Sequence, residues 1–182
     1  MKGENSKEKV AIYIDGSNFY FSIKNTFKLR IDIEKFCKKL IGDSELVKIN
    51  YYIAPIDQES YLEGYKEQQK FFDKIKKINK LNIIFGRLEK RKLNNITYYV
   101  EKASDINLAL DLVLDAQKGV YNKAFLISND GDFSGAVTSA ISFNKKVIYV
   151  SIGNKKSISF HLKKVASSII NIGKEFISDL VI

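Results

Sequence analysis

The sequence predicts an α/β fold in which a mainly parallel sheet is covered by helices on both faces. Short runs rich in β-branched and aromatic residues alternate with segments whose apolar residues fall at helical spacing. That alternation is the pattern of strands joined by crossover helices, which pack on both faces of a parallel sheet. The length, 182 residues, suits one domain with a sizeable core. A polar tail over residues 1–8 and a single domain over 9–182 are expected.

"KVAIYID" reads as a buried first strand, after which Ser17 or Asn18 is placed to cap the next helix. "DIEKFCKKLIG" reads as a short helix ending at Gly42, and "LVKINYYIAPI" as a second strand that Pro55 ends or edges. From Ser60 to Lys80 the apolar residues Tyr61, Leu62, Tyr65, Phe71, Phe72, Ile75 and Ile78 keep helical spacing. "LNIIFGRL" is a third strand. "GRLEKRKLNNITYYVEK" reads as a basic, loop-like insertion. "SDINLALDLVLDAQKG" is a helix capped by Ser or Asp and stopped by Gly119. "KAFLISND" is a fourth strand, "DFSGAVTSAISF" a helix, "KKVIYVSI" a fifth strand and "SISFHLKKVASSI" a last helix.

Composition narrows the function classes. Apolar residues make up 45% and charged residues 28%, an ordinary globular balance. The apolar runs are strand-length, short of the ~20 residues of a membrane span, so no membrane partner is expected. "MKGENSKEK" lacks the apolar centre of a secretory leader. The one cysteine, Cys37, can neither form an internal disulfide nor frame a zinc site, and reads as a plain, partly buried thiol. A reduced, cytoplasmic setting follows. The net charge of +9 fits a polyanionic partner such as RNA or DNA, although a Lys-, Asn- and Ile-rich chain also arises from AT-rich coding. A homo-oligomer is left open.

In parallel sheets ligands collect at the carboxyl ends of the strands. Asp15 ends the first strand in "IDGSN", either as a helix cap or as a site acid. Asp130 and Asp132 follow the fourth strand in "ISNDGDF", either as an Asp-Gly turn with a helix cap or as oxygen ligands around a glycine. On the helix over 104–119, Asn107, Asp111, Asp115 and Lys118 form one polar stripe. Asp105 falls elsewhere, at the head of an apolar row of Ala109, Leu112 and Ala116. Its partner is Lys102, the helix amino terminus or a shared ligand. Clustered carboxylates repel unless a cation joins them, and with no His or Cys cluster a hard cation, Mg²⁺ or Mn²⁺, is the expected cofactor. The single histidine, His161, reads as structural or surface.

"YIDGSNFY", "EKASDINLALDLVLDA", "FLISNDGDFSGAV" and "KKVIYVSI" together resemble the NYN domain, and within it the LabA-like branch of the PIN-like nucleases. The resemblance covers roughly residues 9–171. It implies a three-layer, Rossmann-like α/β/α sandwich around a sheet of five or more strands, and a metal-dependent ribonuclease centre. Carried over by position, Asp15, Asp105, Asp130 and Asp132 are the acidic cluster, with Asn18 and Ser128 supporting it. Asp111 matches a recurrent family aspartate and would stand behind the ligands at best. The chain departs where the family often has glycine, at Ala103, Ser104 and Asn129.

The expected reaction is hydrolysis of single-stranded RNA. Lys102 would touch the scissile phosphate, and Arg87, Lys90, Arg91 and Lys92 would track the backbone. Tyr98 and Tyr99 would stack on bases or pack as a strand or hairpin. The alternative is a catalytically silent RNA-binding or assembly module on the same fold. An aspartyl phosphatase is disfavoured because no second Asp follows Asp15, and a dinucleotide-binding protein because "DGSNFY" carries one glycine.

Overall fold

The computed structural model describes residues 7–94 and 96–182. The expected tail over 1–8 therefore lies almost wholly outside the described residues. Eight strands occur, six of them in one parallel sheet of order β3-β2-β1-β6-β7-β8. These six are β1 (Lys9–Asp15), β2 (Glu45–Ile53), β3 (Leu81–Phe85), β6 (Lys123–Ile127), β7 (Lys146–Ile152) and β8 (Ser168–Ile172). The remaining two, β4 (Arg87–Leu93) and β5 (Ile96–Lys102), pair antiparallel outside the sheet.

Period-2 alternation sends β1 to both faces. Val10, Ile12 and Ile14 join the core under α1 (Gly16–Phe27), α2 (Ile33–Ile41), α3 (Leu62–Ile75) and the short C-terminal α7 (Lys174–Ile177). Ala11 and Tyr13 join the core under α4 (Ser104–Gln117), α5 (Ser134–Ser142) and α6 (Phe160–Val165). The result is the expected three-layer sandwich. Cys37 is buried on α2, and burial pushes its thiol up to about 12.

Three sequence expectations are corrected. The "GRLEKRKLNNITYYVEK" segment is a β-hairpin rather than a loop: Gly86 ends β3, and its basic residues sit on a two-stranded ladder with Arg87 opposite Lys102. A side chain at Gly86 would lie 2.2 Å from Ser104 Oγ, so only glycine lets the hairpin leave the sheet there. Next, the last helix does not reach Ile169. It stops at Val165, and Ser168–Ile172 forms a sixth parallel strand on the edge beside β7. Finally, the one polar stripe of α4 is split, with Asp115 buried against Tyr13 and Lys118 exposed.

The strand order runs outward in opposite directions from β1 and β6. Helices leave to opposite faces at that point, and the crevice between the two carboxyl ends is where a doubly wound sheet binds its ligand.

Candidate functional site

The crevice is built from two strand ends and one helix start. β1 ends on Asp15, which caps α1 by accepting from the Asn18 backbone N–H at 3.0 Å. The other carboxylate oxygen accepts from Ser128 Oγ at 2.8 Å, across from the end of β6. The cap and site readings of Asp15 are therefore not exclusive, since the cap uses one oxygen and aims the group. Gly16 is required by close approach: a Cβ there would sit 2.5 Å from the Tyr51 ring and 2.6 Å from the Tyr52 carbonyl.

Asp130 follows β6 and accepts from the Asp132 N–H at 3.0 Å, which shapes the 3-10 turn over Gly131–Phe133. Ser128 Oγ accepts from the Asp130 N–H at 3.1 Å while donating to Asp15, so one hydroxyl links the two acids. Asn18 supports the same junction by accepting from the Asn129 N–H at 3.0 Å and from Ser22 Oγ at 3.3 Å. Asn129 in turn ties the loop to β7, accepting from Tyr149 and Ser151 hydroxyls at 2.9 Å each. Asp105 opens α4 after Ala103, whose backbone is left-handed (φ 72°). The resemblance noted glycine at this place, and the backbone explains why: glycine takes such angles without strain.

Asp15, Asp105 and Asp130 line one cavity of about 480 Å³. Asp132 is exposed and does not line it, though its charge reaches Asp105. Sequence reasoning missed Glu101. It also lines the cavity, and accepts from Ser17 Oγ at 2.6 Å, Ser104 Oγ at 2.5 Å and the Ala54 N–H at 2.9 Å. With both oxygens engaged, Glu101 locks the base of the hairpin to α1, β2 and α4. Only recognition of β5 as a strand would have revealed it, because alternation then sends Glu101 and Lys102 to opposite faces.

The electrostatics are one-sided. Burial raises the Asp15 carboxyl to about 6, with Asp105 and Glu101 adding to the rise. Asp105 is exposed to solvent, but desolvation of its covered side still raises its carboxyl, helped by Asp130, Glu101 and Asp132. Among the described residues no Lys or Arg lines the cavity. Lys102 acts instead on Glu89, on the hairpin's other face. Lys102 neither lines the cavity nor adds to the charge that Asp105 feels. Arg91 pairs with Glu89 at 3.1 Å, and the Tyr99 hydroxyl donates to Asp57 at 2.7 Å, while Tyr98 stays exposed. Arg87, Lys90 and Lys92 stay exposed on the hairpin.

Asp111 is not part of the crevice. It accepts from the Tyr52 hydroxyl at 2.8 Å and from Asn50 Nδ2 at 3.3 Å, further along α4. His161, distant in sequence, packs beside Gly131, where a Cβ would meet its ring at 3.2 Å.

The donor set around the cavity is carboxylate, amide and hydroxyl oxygen with no sulfur or imidazole, which suits a hard divalent cation. A buried acid that repels its neighbours is the group such an ion would relieve. Among the described residues, no three acid or imidazole groups stand close enough to form a finished ion cage. The donors fit such an ion by chemistry.

The model of the NYN domain matches residues 9–173. The chain belongs to the NYN domain family. NYN domains are members of the PIN-like nuclease superfamily, whose enzymes typically depend on divalent metal; the match is to the domain as a whole and does not separate a LabA-like branch. A crystal structure of a protein of unknown function from Vibrio parahaemolyticus shares the fold, with a TM-score of 0.75 and 22% identity over 96% of this chain and 98% of that one. No curated protein matches the chain. Among the described residues, no helix is long and apolar enough to cross a membrane.

Proposed function

We propose that this NYN protein hydrolyses phosphodiester bonds of single-stranded RNA with the help of Mg²⁺ or Mn²⁺. The observation that carries the reading is the buried Asp15 carboxylate at the switch point, facing other carboxylates with no Lys or Arg among the described lining residues. A crevice so charged repels a phosphodiester unless a cation intervenes.

Asp15, Asp105 and Asp130 would hold the cation. Bound there, it lowers the pKa of a water and offsets charge on the phosphoryl oxygens. The chain's own groups set direction. The Asn18 N–H and Ser128 hydroxyl each occupy one side of an Asp15 oxygen, so the carboxylate cannot rotate away. Glu101 and its two serine donors fix the amino end of α4 and hence Asp105. Asp132, exposed at the rim, is placed to orient a water or a second cation rather than to share the first.

The hairpin supplies the long-range attraction. Arg87, Lys90, Arg91, Lys92 and Lys102 stand on it, and none of them lines the cavity. Neutralising the exposed members should flatten the salt dependence of RNA binding by about 0.7 per lost contact. Lys102→Met should lower affinity more than turnover, reversing what a scissile-phosphate contact would give.

The direct test is cleavage of labelled oligoribonucleotides with Mg²⁺ or Mn²⁺, with and without EDTA. Cleavage that persists in excess EDTA would remove the cation from the reading. Binding without cleavage under any metal would make the chain an RNA-binding module on a nuclease fold.

A further inference from the structure

The acids occupy only one part of the crevice, and the rest is neutral. Along α1, Asn18, Phe21, Ser22 and Asn25 recur at steps of three and four, so they share one helical face. That face is opposite the buried row of Phe19 and Ile23. All four line the cavity with Asp15, Asp105 and Asp130, and Ser157 closes it after β7. Phe21 is the large apolar group there that water reaches, at 54% exposure. The Tyr20 ring braces it edge-on, 5.2 Å away and inclined by 73°, and Lys24 lies over Tyr20 in turn. Asn18 already uses its carbonyl oxygen on Ser22 and Asn129, and among the described residues no acceptor takes its Nδ2 donors.

We propose that Phe21 is a stacking platform for the nucleobase next to the phosphate being cut, with Asn18, Ser22 and Asn25 offering hydrogen bonds to the base or ribose. The inference rests on the nuclease reading for the identity of the phosphate, and deepens it. With the phosphate met by the cation at the acids, the neutral part of the lining is left to face the uncharged part of the nucleotide. A flat aromatic face beside amides and hydroxyls suits a base, since every base offers a π-face and edge donors or acceptors. A cavity of about 480 Å³ is of the size that takes a small-molecule unit such as one nucleotide.

The sequence holds no tryptophan, so Phe21→Trp places a sole indole reporter in the crevice. In an Asp130→Asn background that stops turnover, this chain would be titrated with an oligouridylate and with an abasic ribose-phosphate oligomer of equal length, both with Mg²⁺ present. Indole quenching by the first and not the second is expected. In parallel, Phe21→Ala should weaken oligouridylate binding about tenfold and leave abasic binding unchanged. Phe21→Tyr should restore binding, whereas Phe21→Leu, which keeps apolar bulk without a flat face, should not. The exposed position predicts an unchanged melting temperature in each. Equal quenching by both oligomers, or equal affinity of Phe21→Ala and the unsubstituted chain, would overturn the proposal. Cleavage by a chain in which Phe21→Ala binds normally would sink the platform and keep the nuclease. Selective base binding in a chain that cuts no RNA would do the reverse.

Discussion

Helix α4 carries two groups of acids, and they are treated in opposite ways. Near its middle and far end, Asp111 and Asp115 meet donors: Tyr52 and Asn50 for the first, Tyr13 at 2.6 Å and the Lys48 ammonium for the second. At its start, Asp105 faces Asp130, Glu101 and Asp132, and the causes that raise its carboxyl are burial and like charge. One cluster is closed within the chain, so it serves stability. The other is left open, with no Lys or Arg among the described residues that line its cavity. The difference teaches that an acid's spacing along a helix says little about its role until the facing side chains are known.

The contrast is broken most forcefully at Asp15. Asp15→Asn should reduce RNA cleavage about a thousandfold, near 4 kcal/mol in barrier. It should also raise the melting temperature of metal-free protein at pH 7, because a charge that is costly to bury is gone. A cleavage rate within tenfold of the unsubstituted chain would remove Asp15 from the chemistry. A lower melting temperature would make it a structural cap first.

Asp115→Ala tests the closed cluster and should do the opposite. Lys48 and Asp115 are both largely buried, and removing one strands the other. A loss of about 3 kcal/mol in denaturant unfolding is expected. Cleavage, measured well below the melting point, should be unchanged. Burial holds the Tyr13 phenol far above its ordinary value, so it stays a donor to Asp115 at any working pH. Lys48→Met combined with Asp115→Leu should recover part of the loss, because it removes both charges together. If Asp115→Ala instead cut activity and left stability intact, the division of α4 into a closed and an open cluster would fail.

Both clusters were half legible in the sequence. Asp15, Asp105 and Asp130 lie where a parallel sheet collects ligands, and strand-then-glycine patterns mark two of them. What the one-dimensional pattern hid was pairing across elements. Tyr13, Lys48, Asn50 and Tyr52 all point to the α4 side by strand parity, so a polar stripe on α4 could be buried against a polar stripe on the sheet. Reading α4 alone showed the stripe but not what faces it. Glu101 was hidden because its hairpin was taken for a loop, and the consecutive basic residues Lys90, Arg91 and Lys92 masked the period of two. The strand Ser168–Ile172 was lost for a related reason. "ASSII" continues the preceding helix in polarity, and only its ladder with β7 identifies it.

Proton linkage separates the clusters without mutation. Asp15 has a folded value of about 6 against an ordinary 3.8, so between these the folded state binds more protons than the unfolded one. Stability then falls as pH rises through that window. That difference destabilises the folded state by about 3 kcal/mol at neutral pH. Metal-free protein should therefore gain stability on acidification from pH 7 towards pH 4 at this site, and the gain should vanish in Asp15→Asn. Added Mg²⁺ or Mn²⁺ should restore stability at pH 7 and have little effect at pH 4, where Asp15 is protonated. A melting profile that is flat in the unsubstituted chain, or unaffected by the metal at pH 7, would contradict an open cluster awaiting a cation.

The smallest expected effect concerns how Asp105 is delivered. Ala103 enters α4 at φ 72°, and a Cβ there is strained, so Ala103→Gly should relieve the turn. Glycine also enlarges the unfolded ensemble, and the net gain should be about 0.5 kcal/mol, visible as a small rise in denaturant midpoint. The informative measurement is the cleavage rate beside it. Ser104 and Glu101 hold the next residues at 2.5 Å, so the helix start is fixed by hydrogen bonds as well as by the strained turn. If those bonds suffice, Ala103→Gly cleaves at the parent rate while being slightly more stable. If the alanine's restricted backbone is what keeps Asp105 pressed towards Asp130 against their repulsion, the same variant will be more stable and slower, and the metal concentration needed for half-maximal rate will rise. An outcome of that second kind would mean that the open cluster is held together by backbone strain as well as by its hydrogen bonds, which the closed cluster at Asp115 does without.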